Sequence, residues 1–483
     1  MSLLHFTTLL EEYYNNGIER DWTGALVLFF FSSLVAVFAS LVSPNLGSII
    51  FGVCGVVFLL KKNESALERA LSFLLFTLPV SMMPVVEGIA PLFSWTSVGL
   101  VVFTLLLVKH RNPVSFFRTY IFFLYILAST ITITLSFGGV LEVYYTIQVL
   151  LFFLPILFAI QASEALSDLF SKKTGDRLLI RLSAVLMTLN LSVLAQWQTY
   201  IRLGVKIGEV GFFGSRITYD SLVPAYSVLS SILAIGLPLG SILWNRGQKS
   251  LGLILPVFSV VAIVINSSRT GLVAGFLGLM LLFLFSPSVS IKFSTKISVL
   301  AFFFAAVVVN ASLSFLSNFR GGNFFADNGR LDTFEDGLRL IGSSVFRFLF
   351  GVGYADYPTT PPHNFVIESL VCSGLVATVI FCIWLASMFL HLRRSEWLYL
   401  PLTILIGGQL YSGFYNVKAF TIVSIVAIAI YRSSLRSEGS ERQGVSNVED
   451  HGITTRSVPI NNHLCSSDKT FIELPPQGYL ERP

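Results

Sequence analysis

Charge is what this sequence has least of. Only 12% of its 483 residues are Asp, Glu, Lys or Arg, against 54% hydrophobic ones, which is too little polar surface to coat a soluble globule of that size. Cysteine is scarce too: Cys54, Cys372, Cys382 and Cys465 have no paired spacing, so neither a disulfide framework nor a zinc site is indicated. No Asp-x-Asp occurs anywhere in the chain, which removes the carboxylate pair that holds the divalent ion in many nucleotide-sugar transferases. The opening Met1 to Trp22 carries Glu11, Glu12, Glu19 and Asp21 and lacks the basic start and cleavage site of a secretory signal.

What is abundant is apolar length. With 44 Phe and a mean hydropathy of +0.76 the sequence predicts a polytopic, all-α membrane protein, since a bilayer requires each spanning segment to satisfy its own backbone hydrogen bonds. Against a ruler of about 20 residues per span, apolar runs fall near 23–42, 44–60, 70–86, 89–108, 119–138, 143–161, 180–199, 222–243, 251–266, 271–286, 297–313, 364–390, 398–414 and 418–432. The expectation is therefore about 12 to 14 transmembrane helices.

Basic residues recur after every second run: Lys61, Lys62 and Arg69; Lys109, Arg111 and Arg118; Lys172, Lys173 and Arg177; Arg246 and Lys249; Lys292 and Lys296; Arg393 and Arg394; Arg432 and Arg436. Cytoplasmic loops collect such residues, so both termini are expected there. The formal charge of +5 thus reports orientation and implies no nucleic-acid partner. The predicted organisation is a cytoplasmic segment 1–22, a membrane domain 23–432 with long outward, periplasmic loops at 200–221 and 314–362, and a disordered cytoplasmic tail 433–483 rich in Ser, Glu, Arg, Asn and Pro. Within the second outer loop, Leu331, Phe334, Leu338, Ile341 and Val345 recur at helical steps opposite Asp332, Glu335, Asp336 and Arg339, the pattern of an amphipathic helix on the outer leaflet.

The outer side also carries cations that the loop rule does not explain: Arg202, Lys206, Arg216, Arg269, Arg320, Arg330, Arg339, Arg347 and Lys418. Arg269 stands among Ser267, Ser268 and Thr270 in "NSSRTG", and Arg216 among small residues in "GFFGSRITYDS". Guanidinium is planar, permanently charged and matched to phosphate oxygens; each arginine could equally fix a helix end, and Arg216 could simply pair with Asp220. In "TTPPHNFVIESLVCSG" the prolines mark a helix start, which places His363 on a first turn, sharing a face with Ile367, Leu370 and Gly374. A lone interfacial histidine is ordinarily a hydrogen-bonded bystander; beside phosphate-binding cations, an imidazole of pKa about 6.5 is a candidate general base.

"RITYDS", "SSRTG" and "GRLDTF…FLFGVGYADYPTTPPHNFVIESLVCSG" together resemble the O-antigen polymerase and O-antigen ligase superfamily of bacterial envelope glycosyltransferases, over roughly residues 202–390. The most specific piece is the His-Asn pair followed by glycine eleven residues after the histidine, which His363, Asn364 and Gly374 satisfy. The resemblance implies an undecaprenyl diphosphate-linked oligosaccharide as donor, His363 as base, and Arg216, Arg269 and, more weakly, Arg330 as diphosphate ligands, with Asn364 at the substrate. It implies a metal-independent enzyme without cofactor in the bacterial inner membrane, with its site facing the periplasm. Polymerase is the favoured expectation, with ligation to lipid A core or protein as the alternative; a chain-length regulator is a further protein partner that the resemblance allows. A transporter is the third class, ranked last because the charges gather at one face and the halves do not repeat.

Overall fold

The computed structural model describes residues 20–42, 44–60, 64–81, 94–108, 139–202, 226–266, 268–286, 330–353, 364–409 and 417–450. Among them there is no strand. The helices are α1 (Arg20–Val42), α2 (Pro44–Leu59), α3 (Ala66–Thr77), α4 (Trp95–Val108), α5 (Gly139–Gln161), α6 (Ser163–Leu169), α7 (Lys172–Arg202) and α8 (Tyr226–Ala234). They continue as α9 (Gly236–Asn245), α10 (Lys249–Ile265), α11 (Arg269–Phe285), α12 (Arg330–Gly342), α13 (Val345–Phe350), α14 (Phe365–Leu392), α15 (Tyr399–Gly408) and α16 (Lys418–Asp450). Twelve of the fourteen apolar runs overlap these helices, that near 222–243 as two helices, and the runs near 119–138 and 297–313 lie outside the described residues. Among the described residues four stretches, Lys172–Gln198, Ser227–Asn245, Phe365–Leu392 and Lys418–Leu435, are long and apolar enough to cross a bilayer, and six shorter apolar helices accompany them. The chain is a helical membrane protein on that basis.

Contacts divide the chain into a unit 1–437 and a second unit 438–483, of which 438–450 are helical. The last helix is expected from hydropathy to end near 432 and runs on to Asp450. No proline intervenes before Pro459, and adding turns to an existing helix avoids the cost of a new nucleus.

Small residues let the central helices approach closely. A Cβ on Gly271 would fall 2.6 Å from the Cβ of Ser230, one on Gly275 would be 3.4 Å from that of Ala234, and one on Gly407 would be 2.7 Å from that of Ser231. Such seams replace the hydrophobic drive that lipid cannot supply between helices. A second core is aromatic: Phe152 of α5 stacks on Phe420 of α16 with ring centroids 5.2 Å apart, and Phe153 meets Trp384 of α14 edge-on at 4.4 Å.

One end of the unit is laced by ion pairs. Arg177 binds Glu68 at 2.6 Å and Arg181 binds Glu64 at 2.5 Å, with Ser72 also held by Arg181, so α7 is tied to α3 and the turn before it. Arg246 reaches Glu396 at 3.0 Å while its guanidinium lies 4.5 Å over the Trp397 ring, and Arg432 contacts His391 at 3.1 Å. Arg177, Arg246 and Arg432 belong to the loops that the charge pattern assigns to the cytoplasm. Here those charges also hold helix ends together.

The largest departure from the sequence reading lies in α14. Gly374 has φ 77° and ψ 175°, which no continuing helix can contain. The Thr378 hydroxyl donates to the Ser369 hydroxyl at 3.1 Å, and the rings of Phe365 and Phe381 sit 5.6 Å apart. In a straight helix those pairs would be about 13 and 24 Å apart along the axis. Both straddle Gly374, so the segment is a helical hairpin whose first arm, 365–373, folds back along the second, 375–392. Its full length overstates what crosses a membrane: the second arm alone covers about 27 Å, close to the hydrocarbon thickness. Of the expected face, Ile367 and Leu370 share the first arm, Gly374 is the break that ends it, and His363 lies outside the described residues.

Candidate functional site

Asn364 begins the first arm. Its backbone is extended (φ −156°, ψ 121°) and its side-chain oxygen accepts from the nitrogens of Val366 and Ile367 at 3.0 and 3.2 Å, so it is the N-cap and Phe365 the first helical residue. His363 is expected on the first turn. With the cap at Asn364 it precedes the helix, and it lies outside the described residues.

The other end of the Asn364 amide is committed as well: Nδ2 donates to Gln409 Oε1 at 2.9 Å. The resemblance puts Asn364 at the substrate, but its oxygen and nitrogen both serve to fix the start of the arm against the C-terminus of α15. Glu368 follows one turn later, 4% exposed, its backbone nitrogen donating to the Asn364 carbonyl at 2.8 Å. Sequence reasoning passes over Glu368 as part of an apolar run, although an ionisable residue inside such a run is itself a functional signal.

The same place receives the start of α11. A Cβ on Gly278 would meet that of Thr403 at 3.1 Å, and one on Gly407 would meet that of Ala274 at 3.6 Å, so α11 and α15 run antiparallel. Extending that register brings the N-terminal end of α11 alongside the C-terminal end of α15, where Gln409 holds Asn364. Ser268 caps α11 by accepting from Gly271 N at 3.3 Å, and Arg269 is its first residue, with its side chain outside the described set. Asn266, just before the cap, donates to Ser230 Oγ at 3.0 Å and ties that turn to α8. Because Gly271 pairs with Ser230 and Gly275 with Ala234, α8 runs parallel to α11 and begins at the same end. Arg216, upstream of α8, lies outside the described residues, as does the side chain of Arg330 at the start of α12.

"FGVG", a weak motif by itself, finds its partner here. Gly351 N donates to Arg347 O at 2.7 Å and ends α13; Val352 N then donates to Val371 O at 3.0 Å and Gly353 N to Cys372 O at 2.9 Å. These bonds use carbonyls that the break at Gly374 leaves without a helical donor. Gly351 and Gly353 have φ of 81° and 86°, conformations that side chains rarely adopt. Arg339, one of the unexplained outer cations, is 76% exposed and pairs with Glu335 at 3.5 Å, a solvated helix-face pair. Lys418 is interior instead: it is 3% exposed and donates to Ser94 Oγ at 2.8 Å.

The helix expected in the long loop is present as α12, with Ile341 buried, Phe334 half-buried and Asp332, Glu335, Asp336 and Arg339 exposed; Leu338, expected on the apolar face, is exposed as well, and Val345 belongs to the next helix. Among the described residues no group of three or more His, Cys, Asp or Glu is placed to hold a metal ion. No protein-family model matches the chain, and no curated protein matches it.

Proposed function

We propose that this protein is a glycosyltransferase of the bacterial inner membrane that polymerises a surface polysaccharide. It moves a glycan from an undecaprenyl diphosphate carrier to a sugar hydroxyl of another lipid-linked repeat unit. The observation that carries the proposal is the Asn364–Gln409 bond combined with the antiparallel register of α11 and α15. Together they bring Asn364, the residue that follows His363 in the chain, to the helix end that bears Arg269, and this supports the reading.

The chemistry asked of such a site is limited. The acceptor hydroxyl loses its proton to the His363 imidazole as its oxygen attacks the anomeric carbon, and the bond from that carbon to the diphosphate breaks. The lipid diphosphate leaves with the charge, which fixed cations stabilise; Arg216, Arg269 and Arg330 are the proposed ligands. Guanidinium supplies this in a fork geometry that lysine lacks. Asn364, in this scheme, positions the histidine and does not touch the sugar. The site faces the periplasm, at the end opposite the Arg177, Arg181 and Arg246 ion pairs.

Deleting the gene and resolving the surface polysaccharide on a gel tests the reading. Polymerase predicts loss of the ladder with a single repeat unit still attached to its acceptor. Ligase, which uses the same site chemistry, predicts polymer that stays on the lipid carrier and never reaches the core. An unchanged ladder contradicts both.

A further inference from the structure

Helix α13 leaves three apolar side chains exposed. Val345, Phe346 and Phe348 are 77%, 45% and 41% exposed, in a helix of six residues that buries none of its side chains fully. Phe346 and Phe350 lie against each other with centroids 5.1 Å apart, so the surface is a continuous apolar patch. A second exposed apolar strip lies on the helix that α13 packs against. α13 packs on α14, whose second arm exposes Val376, Val379 and Ile383, spaced three and four residues apart along one face. In a chain that crosses a bilayer, such a strip on a spanning arm faces acyl chains.

The polar groups nearby are arranged as a membrane interface requires. Asp332, Glu335, Asp336 and Arg339 of α12 are exposed, whereas on α13 the one charged residue is Arg347, between Phe346 and Phe348, its guanidinium donating to Ser343 Oγ at 3.0 Å. A long basic side chain flanked by aromatics can lay its stem along lipid and hold its head at phosphate depth.

We propose that α13 is a monotopic foot: Val345, Phe346 and Phe348 enter the acyl region of the leaflet at the Gly374 end, with Arg347 at the headgroup phosphates. The bonds from Val352 and Gly353 to Val371 and Cys372 then tie the depth of the hairpin turn to the membrane surface. This stands on the membrane character of the chain and does not depend on the transferase reading.

The test is quenching in phosphatidylethanolamine–phosphatidylglycerol nanodiscs whose acyl chains carry bromine. Val345→Trp, Phe346→Trp and Phe348→Trp are compared with Asp336→Trp on α12, each after subtraction of the parent protein with its six tryptophans. The α13 reporters should lose emission at least about twofold relative to unbrominated discs, and Asp336→Trp should change little. Val345→Trp sits at the most exposed position and serves if the phenylalanine variants do not purify. Equal, weak quenching at all positions overturns the proposal and leaves a protein partner as what covers the patch.

Discussion

Gly351 and Gly374 meet backbone to backbone: a Cβ on Gly351 would lie 2.7 Å from the Gly374 nitrogen, and one on Gly374 would lie 2.5 Å from the Gly351 nitrogen. Both have positive φ. Two glycines that look like separate punctuation in the sequence are one joint, where the loop after α13 clamps the turn of the α14 hairpin.

Gly351→Ala and Gly374→Ala should therefore each lower the unfolding temperature of the purified protein. Positive φ with extended ψ, a region essentially confined to glycine, costs a side chain about 1–3 kcal/mol, and contact with backbone atoms adds to it. Gly342→Ala is the matched control, since nothing lies within 4 Å of where its added methyl would stand. Equal thermal shifts for all three would mean that the joint is absent.

The hairpin itself predicts a cross-link. Ser369→Cys with Thr378→Cys, in a Cys372→Ser background, should form an intramolecular disulfide on mild oxidation, because the two hydroxyls are 3.1 Å apart. Peptide mapping by mass spectrometry reads the bond directly. Recovery of both thiols free would restore a straight helix across Gly374.

At the start of the arm, Asn364→Asp keeps an oxygen acceptor for the cap, whereas Asn364→Ala removes the cap and the donor to Gln409. The alanine variant should lose about 1 kcal/mol of stability from the cap alone. The aspartate should retain that part, and Gln409→Ala should resemble it. If all three behave alike in thermal unfolding, the cap contributes nothing.

Arg181→Ala should be among the most damaging single changes to folding. It leaves Glu64 and Glu68, whose side chains are both buried, with one fewer cation, and removing one partner of a buried pair costs about 3–5 kcal/mol. Yield of monodisperse protein after extraction measures this; Arg339→Ala, in a solvated pair, should match the parent.

Much of the architecture is legible because lipid imposes long apolar runs: α1, α2, α4, α10 and α11 lie where hydropathy puts them. The fold-back of α14 is not. A glycine inside an apolar run is common in membrane helices and does not say which way the chain turns; that depends on Gly351, far away in sequence. The cap that Asn364 makes is hidden in the sequence, since a cap and a ligand use the same kinds of side-chain atom. Glu368 and Arg181 are hidden inside hydrophobic runs, where burial reveals what periodicity does not.

The segment beginning at His363 and the helix beginning at Arg269 are proposed to form one transfer site. Purified protein in nanodiscs, given an undecaprenyl diphosphate-linked repeat unit, measures it directly. Parent protein should extend the glycan with release of lipid diphosphate; His363→Ala should abolish extension, and Arg269→Lys should reduce it by at least about tenfold through loss of the bidentate phosphate contact, with both variants folded to the same thermal stability as the parent. Extension by His363→Ala at the parent rate would contradict the account.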